Sequence, residues 1–423
     1  MAEDTFLDDD FLRQLMSVGE VDLLVGIPSH NNATTVAATV DAIEECFRQN
    51  FYRDRVVIVN VDGGSKDGTP EAVLNAAVSQ HENGRGLTSL RTEHCVGMRY
   101  AQPVSTGQLY RTLLAAADLL RAKACAVISP ASSNVAPAWI EKLLKPVYRE
   151  KFDFVAPLYG RHKFDGLLGR NLLYPMARAV FGWRVRELHP SDFAFSGGFG
   201  SYCVNQDVWH EEAIGASAET WMAITGTRPD FRICQAFLGQ KMHAATTSGS
   251  DIVSAVRDAV GAFFWCMESQ QEIWTARTGS EAVPTNGPDH ELTIQAVRIN
   301  RKRIFELFRT GASELETILK SVLSPETHAE IQRIAALDER KFRLGGELWA
   351  RILFEFAASY HRAVINRDHL IQALVPLYRG RIYSFLLDHQ ESSPQEIEDD
   401  TEALCLELER QKPYLLERWN QKG

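Results

Sequence analysis

The chain has 423 residues, enough to bury a large core and to form two domains, with an ordinary soluble composition of 45% hydrophobic and 24% charged residues. Its formal net charge of −10 disfavours a nucleic-acid partner, whose phosphates call for a basic surface. No run approaches the roughly 18 to 20 apolar residues that span a bilayer, and the acidic start MAEDTFLDDD lacks the basic-then-apolar order of a secretory leader, so a cytoplasmic location is expected.

Residues 1–19 read as an N-terminal extension. VDLLVGIPS (21–29) is an apolar, β-branched run ending in a turn signal, and 33–47 has helical spacing. A second strand, RVVIVNVD (55–62), runs into Gly63-Gly64-Ser65, and a helix is expected over 70–80 with Thr69 as N-cap. SLRT (89–92) suggests a short strand, 108–123 an amphipathic helix, ACAVISP (124–130) a buried strand, 139–151 a helix and FDFVAPLY (152–159) another strand. Strand–helix alternation with continuously apolar strands predicts an α/β fold, its sheet mostly parallel and covered on both faces. From about residue 251 strand-like runs vanish, and helical periodicity continues to residue 412, with a turn-rich linker at 278–290. The seven cysteines are scattered without a CxxC pair, which argues for buried reduced thiols rather than a zinc site or disulfide framework.

In a parallel sheet, ligands sit beyond the carboxyl ends of the strands, so the residues just after each strand carry the information. VDGGSKDGT (61–69) places a carboxylate, Asp62, at a strand end, where it can accept hydrogen bonds from a base or ribose. Its glycines allow close backbone approach, and Asp67 or Thr69 can cap the next helix. IPSHNNATTV (27–36) has the same strand–loop–helix form, and Ser29 to Asn32 can reach the same ligand. Either segment alone reads equally as an ordinary polar turn. Arg161, His162 and Lys163 make a basic cluster after a strand, suited to a phosphate or a carboxylate. Asp192 lies in an aromatic and small-residue stretch, where a lone carboxylate is costly; a ligand or an arginine such as Arg186 is the expected partner.

In order and about 35 residues apart, the two strand-end segments resemble the start of GT-A glycosyltransferases, which read (V/I)-P-x-x-N and then D-x-G-S-x-D-x-T. The matching residues are Pro28, Asn31 and Asn32, then Asp62, Gly64, Ser65, Asp67 and Thr69. A dinucleotide-binding domain is the main rival, but GxGxxG is absent after the first strand. Farther along, Pro137-Ala138-Trp139-Ile140, Arg161, Ser191-Asp192, Ala218-Glu219-Thr220-Trp221 and Gly239-Gln240-Lys241-Met242-His243 look like the retaining enzymes that make glucosylglycerate, mannosylglycerate and glucosyl-3-phosphoglycerate.

The resemblance implies a GT-A nucleotide-sugar-binding sandwich over 20–250 and an α-helical C-terminal domain over 251–423. It implies transfer of a hexose from a GDP- or UDP-linked sugar to a small anionic acceptor such as D-glycerate or 3-phosphoglycerate, with retention. The donor is expected on Pro28, Ser29, Asn31, Asp62, Gly64, Ser65 and Ser129. Arg161, Lys163 and Asp192 are expected to hold the acceptor, and Asp192, Glu219 and Arg161 to serve the transfer. His243 is expected to bind Mg2+ or Mn2+, and the helices can supply a homodimer surface. Two departures stand out. The D-x-D that binds the metal in most such enzymes falls on Ser129-Pro130-Ala131, and the lysine of their G-K-G falls on Thr106 in Ser105-Thr106-Gly107. The alternative is therefore a nucleotide-sugar-binding protein with impaired catalysis and a regulatory or assembly role.

Overall fold

A computed structural model describes residues 6–82, 93–242, 252–287 and 300–421. The chain divides into two compact units. The first holds residues 1–160, 189–249 and 284–290; the second holds 161–188, 250–283 and 291–423.

In the first unit, helix α1 (Asp9–Val18) precedes β1 (Leu23–Ser29), α2 (Val36–Asn50), β2 (Val56–Asp62), α3 (Thr69–Glu82), β3 (Glu93–Arg99), α4 (Thr106–Leu119), β4 (Ala124–Val127), α5 (Pro137–Glu150) and β5 (Phe154–Gly160). After the excursion into the second unit come β6 (Phe193–Ser196), α7 (Gly197–Val204), α8 (Glu212–Ala216), α9 (Ala218–Thr225) and β7 (Ile233–Gln240). The short β8 (Thr285–Asn286) adds a strand inside the 278–290 segment, where only a turn-rich linker was expected. The strand expected at 89–92 lies outside the described residues; β3 begins just after them. Helix α3 starts at Thr69 itself, with Ala72 N–H donating to Gly68 C=O, so Thr69 is the first helical residue rather than the cap.

Among the described residues the sheet has the order β3-β2-β1-β4-β6-β5-β7-β8. Only β6 runs antiparallel, to β4 and β5. This is the mostly parallel α/β sheet the sequence predicts. Strands β1, β2 and β4 are buried on both faces apart from a half-buried Pro28, which is why they read as unbroken apolar runs. One face packs on α2 and α5 through Val36, Val40, Ile43, Phe47, Trp139, Ile140 and Leu143. On α4, Leu113 packs so closely on β1 that a Cβ at Gly26 would lie 2.8 Å from it. From β1 the chain winds outward to β2 and β3, whereas β4 lies on the other side of β1. In sheets of this kind, ligands are taken beyond the carboxyl ends of the strands at such a reversal, here between β1 and β4.

The second unit is helical. It contains a π-helical turn (Gly169–Leu173), α6 (Tyr174–Phe181), α10 (Ile252–Ser269), α11 (Gln271–Thr275), α12 (Arg301–Glu314), α13 (Glu316–Val322), α14 (Pro325–Ala335), α15 (Gly346–His361), α16 (Arg367–Asp388) and α17 (Pro394–Asn420). The chain passes into the second unit at residue 250, and residues 161–188 fold with the helices. Ion pairs explain this placement. Arg170 and Arg186 pair with Glu398 at 3.1 and 2.7 Å, and Arg178 pairs with Glu402 and with Glu409, the latter at 2.6 Å. All three acids lie on α17. None of the described helices is long and apolar enough to cross a membrane.

Candidate functional site

The two loops that leave β1 and β2 are stapled together. Ser29 and Asp62 lie in register at the ends of the two strands. Asp62 is fully buried, and its carboxylate accepts from Gly64 N–H (3.1 Å), Ser65 N–H (2.8 Å), Ser65 Oγ (2.5 Å) and Ser29 Oγ (3.2 Å). Four donors fill the acceptor capacity of a carboxylate. Asp62 therefore builds the loop; its oxygens are spent before any ligand arrives. Asn31, at φ 55°, donates its N–H to Ser65 Oγ (2.8 Å) and accepts at Oδ1 from Lys66 N–H (3.0 Å). Asn32 N–H donates to Thr69 Oγ1 (2.8 Å), Ala33 N–H to Asp67 Oδ2 (3.0 Å), and His30 Nδ1 lies 2.9 Å from Gly63 C=O. Gly64 sits at φ +84° with the Gln102–Pro103 backbone 2.8 Å from where a Cβ would stand, so no other residue fits there. Pro28, Ser29, Asn31, Asp62, Gly64 and Ser65 thus come together as one platform. Its solvent-facing edge carries His30, Asn31 and Lys66.

Beyond β4 lies a second constellation. Asp192, fully buried, accepts from Ser129 N–H (2.9 Å), Tyr159 Oη and Ser191 Oγ (3.3 Å), and lies 2.6 Å from the Lys241 ammonium. Lys241 is itself buried, donates also to Ser191 Oγ, and rests 4.6 Å from the Tyr159 ring centroid. The partner expected for Asp192 was a ligand or an arginine such as Arg186. The structure supplies Lys241 instead, while Arg186 lies over the Tyr174 ring and pairs with Glu398 in the other unit. Lys241 stood within a recognised motif but was not singled out. The one available signal was the carboxylate's need for a buried cation.

Ser129 thus joins Asp192, but by its backbone. The loop 129–134 is also fastened to the end of β7. Ser133 N–H donates to Met242 C=O (2.9 Å), Asn134 Nδ2 to Gln240 C=O (2.6 Å), and Met242 N–H to Asn134 Oδ1 (2.9 Å).

Glu219, near the start of α9, is buried and half satisfied. Its Oε1 accepts from Ser217 Oγ (3.0 Å) and lies 3.0 Å from His189 Nδ1, whereas its Oε2 has no partner among the described residues. Burial first, then the charges of Glu219 and Asp192, push the Tyr110 hydroxyl well above its usual range. Ser105, where the lysine-bearing motif of the resembled enzymes falls, instead caps α4: Gln108 N–H donates to Ser105 Oγ (3.3 Å) and Ser105 N–H to Gln108 Oε1 (3.1 Å).

Arg161 and Lys163 belong to the helical unit. Arg161 pairs with Glu187 (2.7 Å) and Asp165 (3.4 Å), and Lys163 donates to Gln390 C=O (2.7 Å). Burial and then the Lys163 charge hold the His162 imidazole below its usual range. His243 lies outside the described residues.

Comparison with known protein families finds no match, and comparison with curated proteins finds none either. Among solved structures, the chain is similar to glucosyl-3-phosphoglycerate synthase from Mycobacterium tuberculosis. The complex with Mn2+, UDP-glucose and phosphoglyceric acid is 16% identical, with 60% of this chain and 81% of that chain covered at a TM-score of 0.42. The complex with Mg2+ and UDP is 15% identical, with 61% and 82% covered and a TM-score of 0.42. The complex with Mn2+, UDP and glucosyl-3-phosphoglycerate is 16% identical, with 66% and 93% covered and a TM-score of 0.42.

The described residues do not fit a divalent cation of this kind. Mg2+ and Mn2+ are hard ions that need carboxylate oxygens. Ser129-Pro130-Ala131 offers none, and the Asp192 carboxylate that reaches this loop is ion-paired with Lys241, its Oδ2 taken by Tyr159, Ser191 and Lys241 and its Oδ1 accepting from Ser129 N–H. No group of three or more His, Cys, Asp or Glu is placed for metal binding among the described residues.

Proposed function

We propose that the chain is a glycosyltransferase that moves a hexose from a GDP- or UDP-linked sugar to a small anionic acceptor such as D-glycerate or 3-phosphoglycerate, with retention. The observation that carries the reading is the interlocked platform of residues 28–33 and 62–69 beyond β1 and β2, beside the point where the sheet reverses its winding. The nucleoside rests on that platform, whose shape Asp62, Ser65 and Thr69 maintain. Glu219 Oε2 is a buried acceptor without a donor among the described residues, and a sugar hydroxyl satisfies it. Asp192 and Lys241 act as a fixed pair under the β4 loop. The Tyr110 hydroxyl stays protonated.

A second reading, donor binding without turnover, is favoured by one specific feature: both strand-end carboxylates, Asp62 and Asp192, are consumed by internal contacts. One experiment separates the two readings. UDP- and GDP-sugars should raise the melting temperature under either; only a transferase releases nucleoside diphosphate when D-glycerate or 3-phosphoglycerate is added. Glu219→Gln should then cut that release at least tenfold, and a wild-type rate in this variant would remove Glu219 from the site. No thermal shift with any nucleotide sugar would sink both readings.

A further inference from the structure

We propose that the cavity between α3 and β3 is a binding site for a small aromatic carboxylate, its ring held among apolar side chains and its acid group by Arg99. The site lies on a face of the sheet, apart from the platform beyond the strand ends, and it does not depend on the nucleotide-sugar reading.

The cavity owes its existence to a glycine. Cys95, Gly97 and Arg99 stand in register with Ile58, Asn60 and Asp62, so they share one face of β3. Against that strand α3 sets Pro70, Val73 and Leu74, and the space left between them is about 230 Å3. A Cβ on Gly97 would meet only the Asn60 carbonyl oxygen, at an ordinary 3.5 Å, and the backbone there is not in the left-handed region. Glycine weakens a strand, and neither conformation nor packing calls for it here; within a strand it often marks a place where another molecule comes close. What it provides is room. Helix α1 closes the edge. Gln14 Nε2 donates to Gly97 C=O (3.4 Å) and Gln14 Oε1 accepts from Gly97 N–H (3.2 Å), so this amide makes a wall whose polar atoms are used. Asn60 also lines the cavity, with its Nδ2 spent on Ile27 C=O (3.0 Å) and Ser29 Oγ (2.9 Å).

The chemistry of the lining selects the ligand. Pro70, Val73, Leu74, Val96 and Met98 make the lining largely apolar, and the space exceeds the roughly 150 Å3 that holds a benzene ring. A ring with one short substituent therefore fits. Leu74 is 58% exposed, an apolar side chain that a bound ring would cover. Among the described residues that line the cavity, Arg99 alone is charged. Its Nη2 donates to Ser65 C=O (2.8 Å), and its Nη1 lies 3.6 Å from Glu71 Oε1. Both members of that ion pair are more than half exposed, so the contact is weak. A ligand carboxylate, which can take a guanidinium through two parallel hydrogen bonds, competes well against so loose a partner.

The test uses the full-length chain labelled with 13C at its methionine methyls, so that Met98 reports from the wall. Benzoate should shift the Met98 signal with a dissociation constant of about 1–5 mM, the strength expected of so small a ligand. Benzyl alcohol, its neutral counterpart, should bind at least threefold more weakly. Gly97→Val puts a side chain that strands favour into the cavity and should abolish the benzoate response. Arg99→Met should weaken benzoate at least threefold and leave benzyl alcohol unchanged. Circular dichroism checks the fold of both variants; if Gly97→Val does not fold, the two probes on the wild type and on Arg99→Met carry the test. No benzoate-induced shift at Met98, an undiminished response in folded Gly97→Val, or equal affinity for the two probes overturns the proposal. Each of these outcomes leaves the nucleotide-sugar reading standing, because donor binding is measured separately.

Discussion

Asp62 and Asp192 are both fully buried carboxylates, and they illustrate two ways of stabilising such a group. Asp62 is held by neutral donors, two of them backbone N–H groups of its own loop. In Asp62→Asn an amide can turn only one acceptor toward those donors, and its NH2 must face another. The variant should lose about 1–3 kcal/mol of stability by urea denaturation and lose the nucleotide-induced thermal shift with it. Asp192 is held by a buried cation. Asp192→Ala leaves Lys241 uncompensated and should cost about 3–5 kcal/mol, whereas replacing both partners by apolar residues should cost less than the sum of the single changes. Additivity in that double-mutant cycle would show that the 2.6 Å pair carries no coupling. The need of Asp192 for a partner was legible in its apolar surroundings. The identity of the partner was not. Arg186 was nearer in sequence, but the fold carries it into the helical unit and brings Lys241 back along β7.

At the scale of elements, the segment 161–188 shows why a domain boundary drawn from periodicity can be cut by tertiary contacts. Its arginines meet acids spaced along one face of α17, and Arg178 is fully buried between Glu402, Glu409 and Ser280. Helix α17 is tied again at Lys412, whose ammonium donates to the carbonyls of Val180 (2.9 Å), Trp274 (3.0 Å) and Arg277 (2.9 Å). Burial lowers the pKa of that lysine to about 8. Glu402→Ala removes the bidentate partner of a buried guanidinium and should destabilise the helical unit by about 2–3 kcal/mol. Glu330→Ala breaks a surface pair with Arg333 and should change stability by less than about 0.5 kcal/mol. Equal effects in the two variants, read by guanidinium denaturation, would refute a structural role for the ladder.

At the scale of the whole molecule, the scattered cysteines become a stability argument. All seven are free, and six are buried. Burial pushes the thiols of Cys46, Cys234 and Cys405 up to about 12, and those of Cys125, Cys203 and Cys266 well above their usual range. Below the pKa of an unfolded thiol, both states hold the proton and the thiols contribute no pH dependence. Above it, the unfolded chain releases protons that the folded chain keeps, so stability falls with rising pH by about 1.4 kcal/mol per pH unit per thiol. Denaturation midpoints should hold steady to about pH 8.5 and then drop steeply toward pH 10. A flat profile over that range would mean that the thiols are not buried as described.

The sequence by itself determined the α/β half, the helical half and the platform at the ends of β1 and β2. These rest on local physics: apolar runs that only a doubly covered sheet can bury, and a Gly-rich loop whose residues bond within a few positions or across two adjacent strands. It also located the positions after β4 where carboxylates are missing. Tertiary structure alone decided the rest. It revealed that Asp62 and Asp192 are bonded internally, that Lys241 is the cation at the second constellation, that Glu219 keeps an oxygen unpaired among the described residues beside His189, and that 161–188 folds with α17. These depend on side chains distant in sequence, such as Asp192 and Lys241 or Arg178 and Glu402. What brings them together is the burial of charge, which selects any partner the fold delivers and leaves no fixed spacing in the chain.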